Sequence, residues 1–250
     1  MLKIENIVKT YRTNGNSYPV LRGINATVPS GSFVAVMGPS GSGKTTLLNI
    51  MSGFIRADSG SVILDGQNIL TGGENELAEI RQSKLGFVFQ DFMLLNGLTI
   101  RENIFLPQII AGKPSNEMER NTKTLLSLFG ISEIADKYPT EVSGGQKQRT
   151  SIARALSNNP SIILADEPTG NLDSKSSGAV IDSFCNAKEK IGATIFMVTH
   201  DAFAASYADK VIALKDGIVF GELIRHGEPK DFLDELLDFT RKVNGDDYDA

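Results

Sequence analysis

Only one of the 250 residues is a cysteine, Cys185, so no intrachain disulfide can form. That usage fits a reducing cytoplasm, and a lone thiol outside any motif reads as a packed side chain rather than a nucleophile. Long apolar runs are missing as well, none approaching the roughly 20 residues that cross a bilayer. Met1-Leu2-Lys3-Ile4-Glu5 holds no signal-peptide core. If the protein serves a membrane, it does so through a partner. Basic charge is not in excess: 25 Lys and Arg stand against 30 Asp and Glu, a net charge of −5. This balance speaks against an electrostatic grip on nucleic acid or anionic lipid. Internal repeats and low-complexity tracts are also absent.

The remaining composition, 41% hydrophobic and 22% charged, is that of a globular protein long enough to bury a sizeable core. Short apolar runs at Phe33–Met37, Leu85–Phe89, Ile162–Ala165, Ile195–Val198 and Val211–Leu214 suit the strands of a parallel sheet covered on both faces. Helical patterns separate them: one from the Gly38 region to near Gly53, then Glu117–Phe129, Gln146–Asn158 and Ser174–Lys190. Alternating strands and helices mean an α/β fold. The first thirty residues and Ser61–Asn68 read as β-rich, with breaker pairs Ser30-Gly31, Ser59-Gly60 and Asp65-Gly66. Residues 91–158 interrupt the rhythm with mostly helix and read as an inserted helical lobe, leaving 1–90 and 159–222 as the β-rich and nucleotide-binding core. Residues 223–250, with Asp231, Asp234, Glu235, Asp238, Asp246, Asp247 and Asp249, read as a solvated C-terminal helix and acidic tail.

Three motifs carry chemistry. Gly38-Pro39-Ser40-Gly41-Ser42-Gly43-Lys44-Thr45 matches G-x-x-x-x-G-K-T between a strand and a helix, the context of a phosphate-binding loop. Its glycines let the backbone curl so that N–H groups and a helix N-terminus form an anion site. Lys44 can reach the β- and γ-phosphates of a nucleotide, Thr45 can hold Mg²⁺, and Thr46 offers a further phosphate contact. Asp166 ends the run Ile162–Ala165, at the sheet edge where open α/β folds bind ligands, and can hold Mg²⁺. Glu167 follows directly, placed to orient or deprotonate water. By itself the Asp-Glu pair would be a solvated strand end; beside a phosphate loop it is catalytic. Between these two motifs lies Ser143-Gly144-Gly145-Gln146, a good N-cap followed by glycines that let a phosphate approach the backbone closely.

The three motifs in this order resemble ATP-binding-cassette (ABC) ATPases over nearly the full chain. The resemblance implies a RecA-like P-loop core with an N-terminal antiparallel β subdomain and a helical signature subdomain. It implies ATP and Mg²⁺ as cofactors and a head-to-tail homodimer in which Ser143, Gly144, Gly145 and Gln146 contact the ATP of the opposite subunit. Val142 stands where the family has leucine. Tyr11 falls where the family stacks an aromatic on adenine, and Gln90, after Gly86-Phe87-Val88-Phe89, where a glutamine senses Mg²⁺ and the transport partner. Asn171-Leu172-Asp173 resembles the loop through which two cassettes communicate, and His200 in Val198-Thr199-His200-Asp201 the switch histidine at the γ-phosphate. His226 lies outside every motif and reads as surface.

Gly86–Leu95 resembles the cassettes of lipoprotein-release and macrolide-export permeases. Asp136-Lys137-Tyr138-Pro139, Lys147-Gln148-Arg149-Thr150-Ser151, Asp173-Ser174-Lys175-Ser176 and Ala204-Ala205-Ser206-Tyr207 look more narrowly like the bacitracin-export type; Thr169-Gly170-Asn171-Leu172 and Ile152-Ala153-Arg154-Ala155 depart from it. The expectation is an ATPase at the cytoplasmic face of the membrane, bound to a permease on another chain. A cassette that signals through its permease without net transport would carry the same machinery. Chromosome-maintenance ATPases need a long coiled-coil insertion, for which the 99 positions between Lys44 and Ser143 leave no room. Ribosome-associated factors carry two cassettes in one chain, and one is present here.

Overall fold

The computed structural model describes residues 1–13 and 15–244; Asp246, Asp247 and Asp249 of the expected acidic tail lie outside them. The chain opens with two long strands, β1 (Leu2–Thr13) and β2 (Asn16–Val28), then β3 (Phe33–Met37) and helix α1 (Lys44–Met51). Next come β4 (Ser59–Leu64), β5 (Gln67–Asn68), α2 (Glu74–Ser83) and β6 (Leu85–Phe89). From there to the next strand every regular element is helical: α3 (Ile100–Ile110), α4 (Ser115–Leu128), two short 3₁₀ turns and α5 (Gly144–Leu156). The remainder is β7 (Ile162–Asp166), α6 (Ser174–Ile191), β8 (Ile195–Val198), α7 (Ala202–Ser206), β9 (Lys210–Lys215), β10 (Ile218–Ile224) and α8 (Pro229–Asn244).

Two sheets result. β2-β1-β4-β5 is antiparallel; in β10-β9-β3-β8-β7-β6 all neighbours are parallel except the edge pair β10–β9. All five residues of β3 are buried, as expected of a strand covered on both faces. The alternation along β3 divides the core. Phe33, Ala35 and Met37 join the cluster beneath the helices, with Ile152, Ile181 and Phe184. Val34 and Val36 join the cluster under the antiparallel sheet, with Leu21, Ile24 and Leu48. The two hairpin turns Asp65-Gly66 and Asp216-Gly217 hold both central residues at positive φ, the geometry that matches strand twist and favours Asp-Gly.

Most expected elements fall where the apolar runs lie. The β-rich opening proves to be two strands of 12 and 13 residues whose alternation is broken by register shifts at Ile4/Ile7, Ile7/Val8 and Lys9/Thr10.

Candidate active site

Parallel strands aim their C-terminal ends at one edge of the sheet, and the site is built there. After β3 the chain turns sharply at Gly38, whose φ is 152°. A Cβ at Gly38 would sit 2.1 Å from the Leu214 carbonyl oxygen, so only glycine lets the loop pass β9. Gly43, at φ 101°, starts α1 with its face against Leu21 and the Val20 carbonyl of the antiparallel sheet. The loop thus wraps over an N-terminus whose N–H groups point outward, the arrangement that binds phosphate.

Over this loop lies a cleft of about 440 Å³ lined by Ser40, Gly41, Gly43, Lys44, Thr45 and Thr46, with Val20, Glu167 and His200 closing its sides. Lys44 Nζ donates to the carbonyl oxygens of Gly38 (2.8 Å) and Pro39 (3.0 Å). Burial lowers its pKa, while Glu167 and Asp166 oppose that shift. Asp166 is more buried. Desolvation, then the charge of Glu167, raises its carboxyl above the ordinary range, against the pull of Lys44 and of the Thr45 hydroxyl. Among the described residues its Oδ1 is buried without a hydrogen-bond partner. A buried, unpaired carboxylate oxygen beside a hydroxyl is the donor set a hard divalent cation takes, so Asp166 and Thr45 fit Mg²⁺. The Ser42 hydroxyl, in the same loop, is also buried without a partner among the described residues.

Glu167 adopts φ 46°, a left-handed conformation unusual for a residue with a side chain. Its N–H donates to the Val198 carbonyl, and the Gly170 N–H donates to its own carbonyl. His200 stands opposite. Its Nδ1 is 2.9 Å from Glu167 Oε2, and its backbone N–H donates to the same oxygen at 3.3 Å. Glu167 is held well inside, with 17% of its side chain exposed, whereas His200 is 70% exposed.

Tyr11, Gln90 and the Ser143–Gln146 segment do not line this cleft. Tyr11 is exposed on β1, paired with Tyr18, with the Lys9 ammonium 5.4 Å from its ring centre. Gln90 turns its amide to Asn171: Nε2 donates to Asn171 Oδ1 at 3.1 Å, and Asn171 Nδ2 donates to the Gln90 carbonyl and to Asp91. Ser143 and Gln146 form a reciprocal cap, each side chain accepting from the other's backbone N–H. Gly144 lies flush against the loop that follows Glu167 and Gly145 against the first turn of α6: a Cβ would be 2.9 Å from Leu172 Cδ2 and 3.2 Å from Ser176 Cβ, respectively. None of Ser143, Gly144, Gly145 and Gln146 lines the cleft of its own chain. Arg154, further along α5, donates to the carbonyls of Phe92 and Met93, two consecutive non-glycine residues at positive φ. Burial pushes its pKa down to about 10. Val20 was not foreseen; it is an ordinary strand residue whose role comes from the sheet that carries it.

A glycine loop with its lysine, a buried aspartate beside a threonine and a strained glutamate held by a histidine are the parts of a P-loop nucleotide hydrolase. The comparisons narrow the class. Residues 21–170 match the family described as ABC transporter. The chain is 47% identical over 245 residues to the bacitracin export ATP-binding protein BceA of Halalkalibacterium halodurans, covering 98% of this chain and 97% of that one. It is 45% identical to the macrolide export ATP-binding/permease protein MacB of Syntrophobacter fumaroxidans over 88% of this chain and 31% of that protein. Among solved structures, the ATP-binding cassette MJ0796, in a dimeric post-hydrolysis state with ADP and Pi, superposes with TM-score 0.81 at 39% identity, covering 91% of this chain and all of that one. The chain belongs to the ABC transporter family; it is an ATP-binding subunit and an ATPase.

Proposed function

We propose that the protein powers a separate membrane permease at the cytoplasmic face, as a head-to-tail pair of copies that hydrolyses ATP at two shared sites. The observation that carries this reading is the separation of Ser143–Gln146 from the cleft formed by residues 40–46, Glu167 and His200. A second copy supplies what one chain leaves open: two glycines and an N-capped helix, a phosphate-docking arrangement. In this reading Lys44 and the loop N–H groups hold the β- and γ-phosphates. Thr45 and Asp166, with Gln90 as a further candidate ligand, would hold Mg²⁺, which would supply neutralisation of phosphate charge. Glu167 orients the attacking water and takes its proton, and His200 fixes that carboxylate and reaches the γ-phosphate. Tyr11 stacks on the adenine.

Among the described residues no helix is long and apolar enough to cross a membrane. A cleft between the two lobes, lined by Phe54, Leu85, Phe87, Leu106 and Ile110 with Arg81 and Arg154, suits an apolar helix end of such a permease. The likeness to BceA supports removal of peptide antibiotics of the bacitracin kind as the task. The likeness to MacB, whose name joins ATP-binding and permease parts, supports macrolide-type export as the second reading. Co-purification of the native complex, followed by vesicle assays of ATPase stimulation with bacitracin and with a macrolide, tests both. Stimulation by neither drug, or purification without any membrane protein, would contradict the reading.

A further inference from the structure

Gln148 lies in α5, two residues after the signature segment, and is fully buried. Its Nε2 donates twice, to the Phe89 carbonyl at 3.1 Å and the Pro168 carbonyl at 2.7 Å. Both amide hydrogens are therefore spent. Its Oε1 is buried and, among the described residues, has no partner. An apolar side chain of the same shape would avoid that unpaired acceptor, so packing alone does not account for an amide here. The two acceptors are telling. Phe89 is the last residue of β6, immediately before Gln90; Pro168 immediately follows Glu167. Phe89 and Asp166 are register partners on adjacent strands, so one side chain clasps both strand ends just where they pass into functional loops.

We infer that Gln148 is a positioning residue, which couples the signature helix to the catalytic carboxylate of its own chain. Glu167 sits at φ 46°, a conformation that persists only when its surroundings impose it. The bond to the Pro168 carbonyl fixes the next residue from the helical lobe. The close approach of Gly144 to Leu172, in the loop after Glu167, and of Gly145 to Ser176, in the first turn of α6, seats the start of the same helix on the segment that follows the carboxylate. This inference rests on the head-to-tail reading. When the signature segment docks on the partner's ATP, Gln148 transmits the displacement of α5 to Glu167, which acts on the ATP of its own chain. Each site thereby senses occupation of the other.

The test uses ATP-dependent dimers of the full chain, purified through two different tags, with Gln148→Met, which is close in volume and has no donors. In the first pairing one chain carries both Gln148→Met and Glu167→Gln and its partner is unchanged, so the working carboxylate is far from the altered residue. In the second, one chain carries Gln148→Met and the other Glu167→Gln, so the working carboxylate is beside it. Each dimer holds one altered Gln148, and any loss of folded material lowers both rates alike. The second pairing should turn over about tenfold more slowly than the first, within the hundredfold that a 1 Å misplacement of a reacting group can cost. Equal rates would overturn the inference and leave Gln148 a fold-maintaining residue. A slower first pairing would also overturn it, placing the effect in the signature segment's hold on the partner's nucleotide. If Gln148→Met chains do not enter dimers, Gln148→Leu, which is apolar and likewise has no donors, takes their place. Failure of unaltered chains to form ATP-dependent dimers would instead defeat the head-to-tail reading and the inference together, and full activity of a dimer with Glu167→Gln in both chains would defeat the catalytic role of Glu167 and the inference with it.

Discussion

His200 Nδ1 stands 2.9 Å from Glu167 Oε2, and the backbone N–H of the same histidine donates to that oxygen at 3.3 Å. The histidine thus restrains the carboxylate twice, once through its exposed ring and once through its backbone. Only the first restraint is removed by changing the side chain.

Glu167→Gln keeps the shape and the contact with the His200 N–H but removes the base. Hydrolysis should fall by roughly two or more orders of magnitude, the scale of a lost general base, while ATP binding persists. His200→Ala leaves the backbone N–H in place, so it should slow turnover less than Glu167→Gln and spare ATP affinity. Single-turnover rates alongside titration calorimetry check both; near wild-type turnover for Glu167→Gln would remove it from the chemistry.

Lys44 spends its ammonium on its own loop, donating to Gly38 and Pro39, in the chain by itself. Lys44→Ala should therefore weaken ATP binding and also loosen the loop. Calorimetry should show lower affinity, and hydrogen exchange should show faster exchange around residues 38–43. Unchanged affinity would mean that the loop N–H groups suffice.

Asp166 should trade stability for function. Burial and the neighbouring Glu167 raise its pKa in the fold above the unfolded value. The folded chain then binds the proton more tightly, so the contribution of this group is most favourable below the unfolded pKa. It is lost as pH rises through the raised pKa, and at neutral pH the carboxylate is a burden. Without nucleotide at pH 7, Asp166→Asn should raise the melting temperature, by about 2–4 °C per kcal/mol relieved. The same variant should lose Mg²⁺-dependent hydrolysis. A lower melting temperature, or a gain that grows toward acid pH, would contradict this account.

Gly144 is an ambiguous probe of the partner's nucleotide, because a side chain there must first displace the Leu172 methyl of its own chain. The head-to-tail pair is better tested by a cross-link between Ser143→Cys and Ser40→Cys in opposite chains, in a Glu167→Gln background. Burial pushes the Cys185 thiol up to about 11, so it is a poor competitor, and Cys185→Ser removes it. ATP with Mg²⁺ should bring the cross-link and ADP should not. No cross-link on denaturing gels would refute the arrangement.

Legibility in the sequence followed the range of the interaction. β3, β6, β7 and β8 were plain because buried parallel strands are unbroken apolar runs. The Gly38–Thr45 loop was plain because its geometry needs particular residues at fixed spacing. α2 was not, since only Leu77 and Ile80 of its ten residues are buried and its remaining face is polar. β1 and β2 showed as β-rich without bounds because their bulges interrupt the period of two. Val20 meets Glu167 and His200 only across the cleft, from a sheet far back along the chain, and the amide bonds of Gln148 reach partners 20 and 59 positions away. Local pattern carries no trace of such partners. Gln90 was found by its place in a motif, but its pairing with Asn171, 81 positions on, was not.

Arg154 has a consequence for how the loop after β6 can change. Phe92 and Met93 are both left-handed without being glycine, a conformation costing about 1–3 kcal/mol at each residue. One guanidinium accepts the task of holding both carbonyls. The segment is therefore latched rather than hinged. It cannot yield one residue at a time, because releasing either carbonyl frees a strained neighbour that shares the same anchor. Arg154 also lines the adjoining cleft, so a side chain entering that cleft would bear on the anchor of both strained residues together.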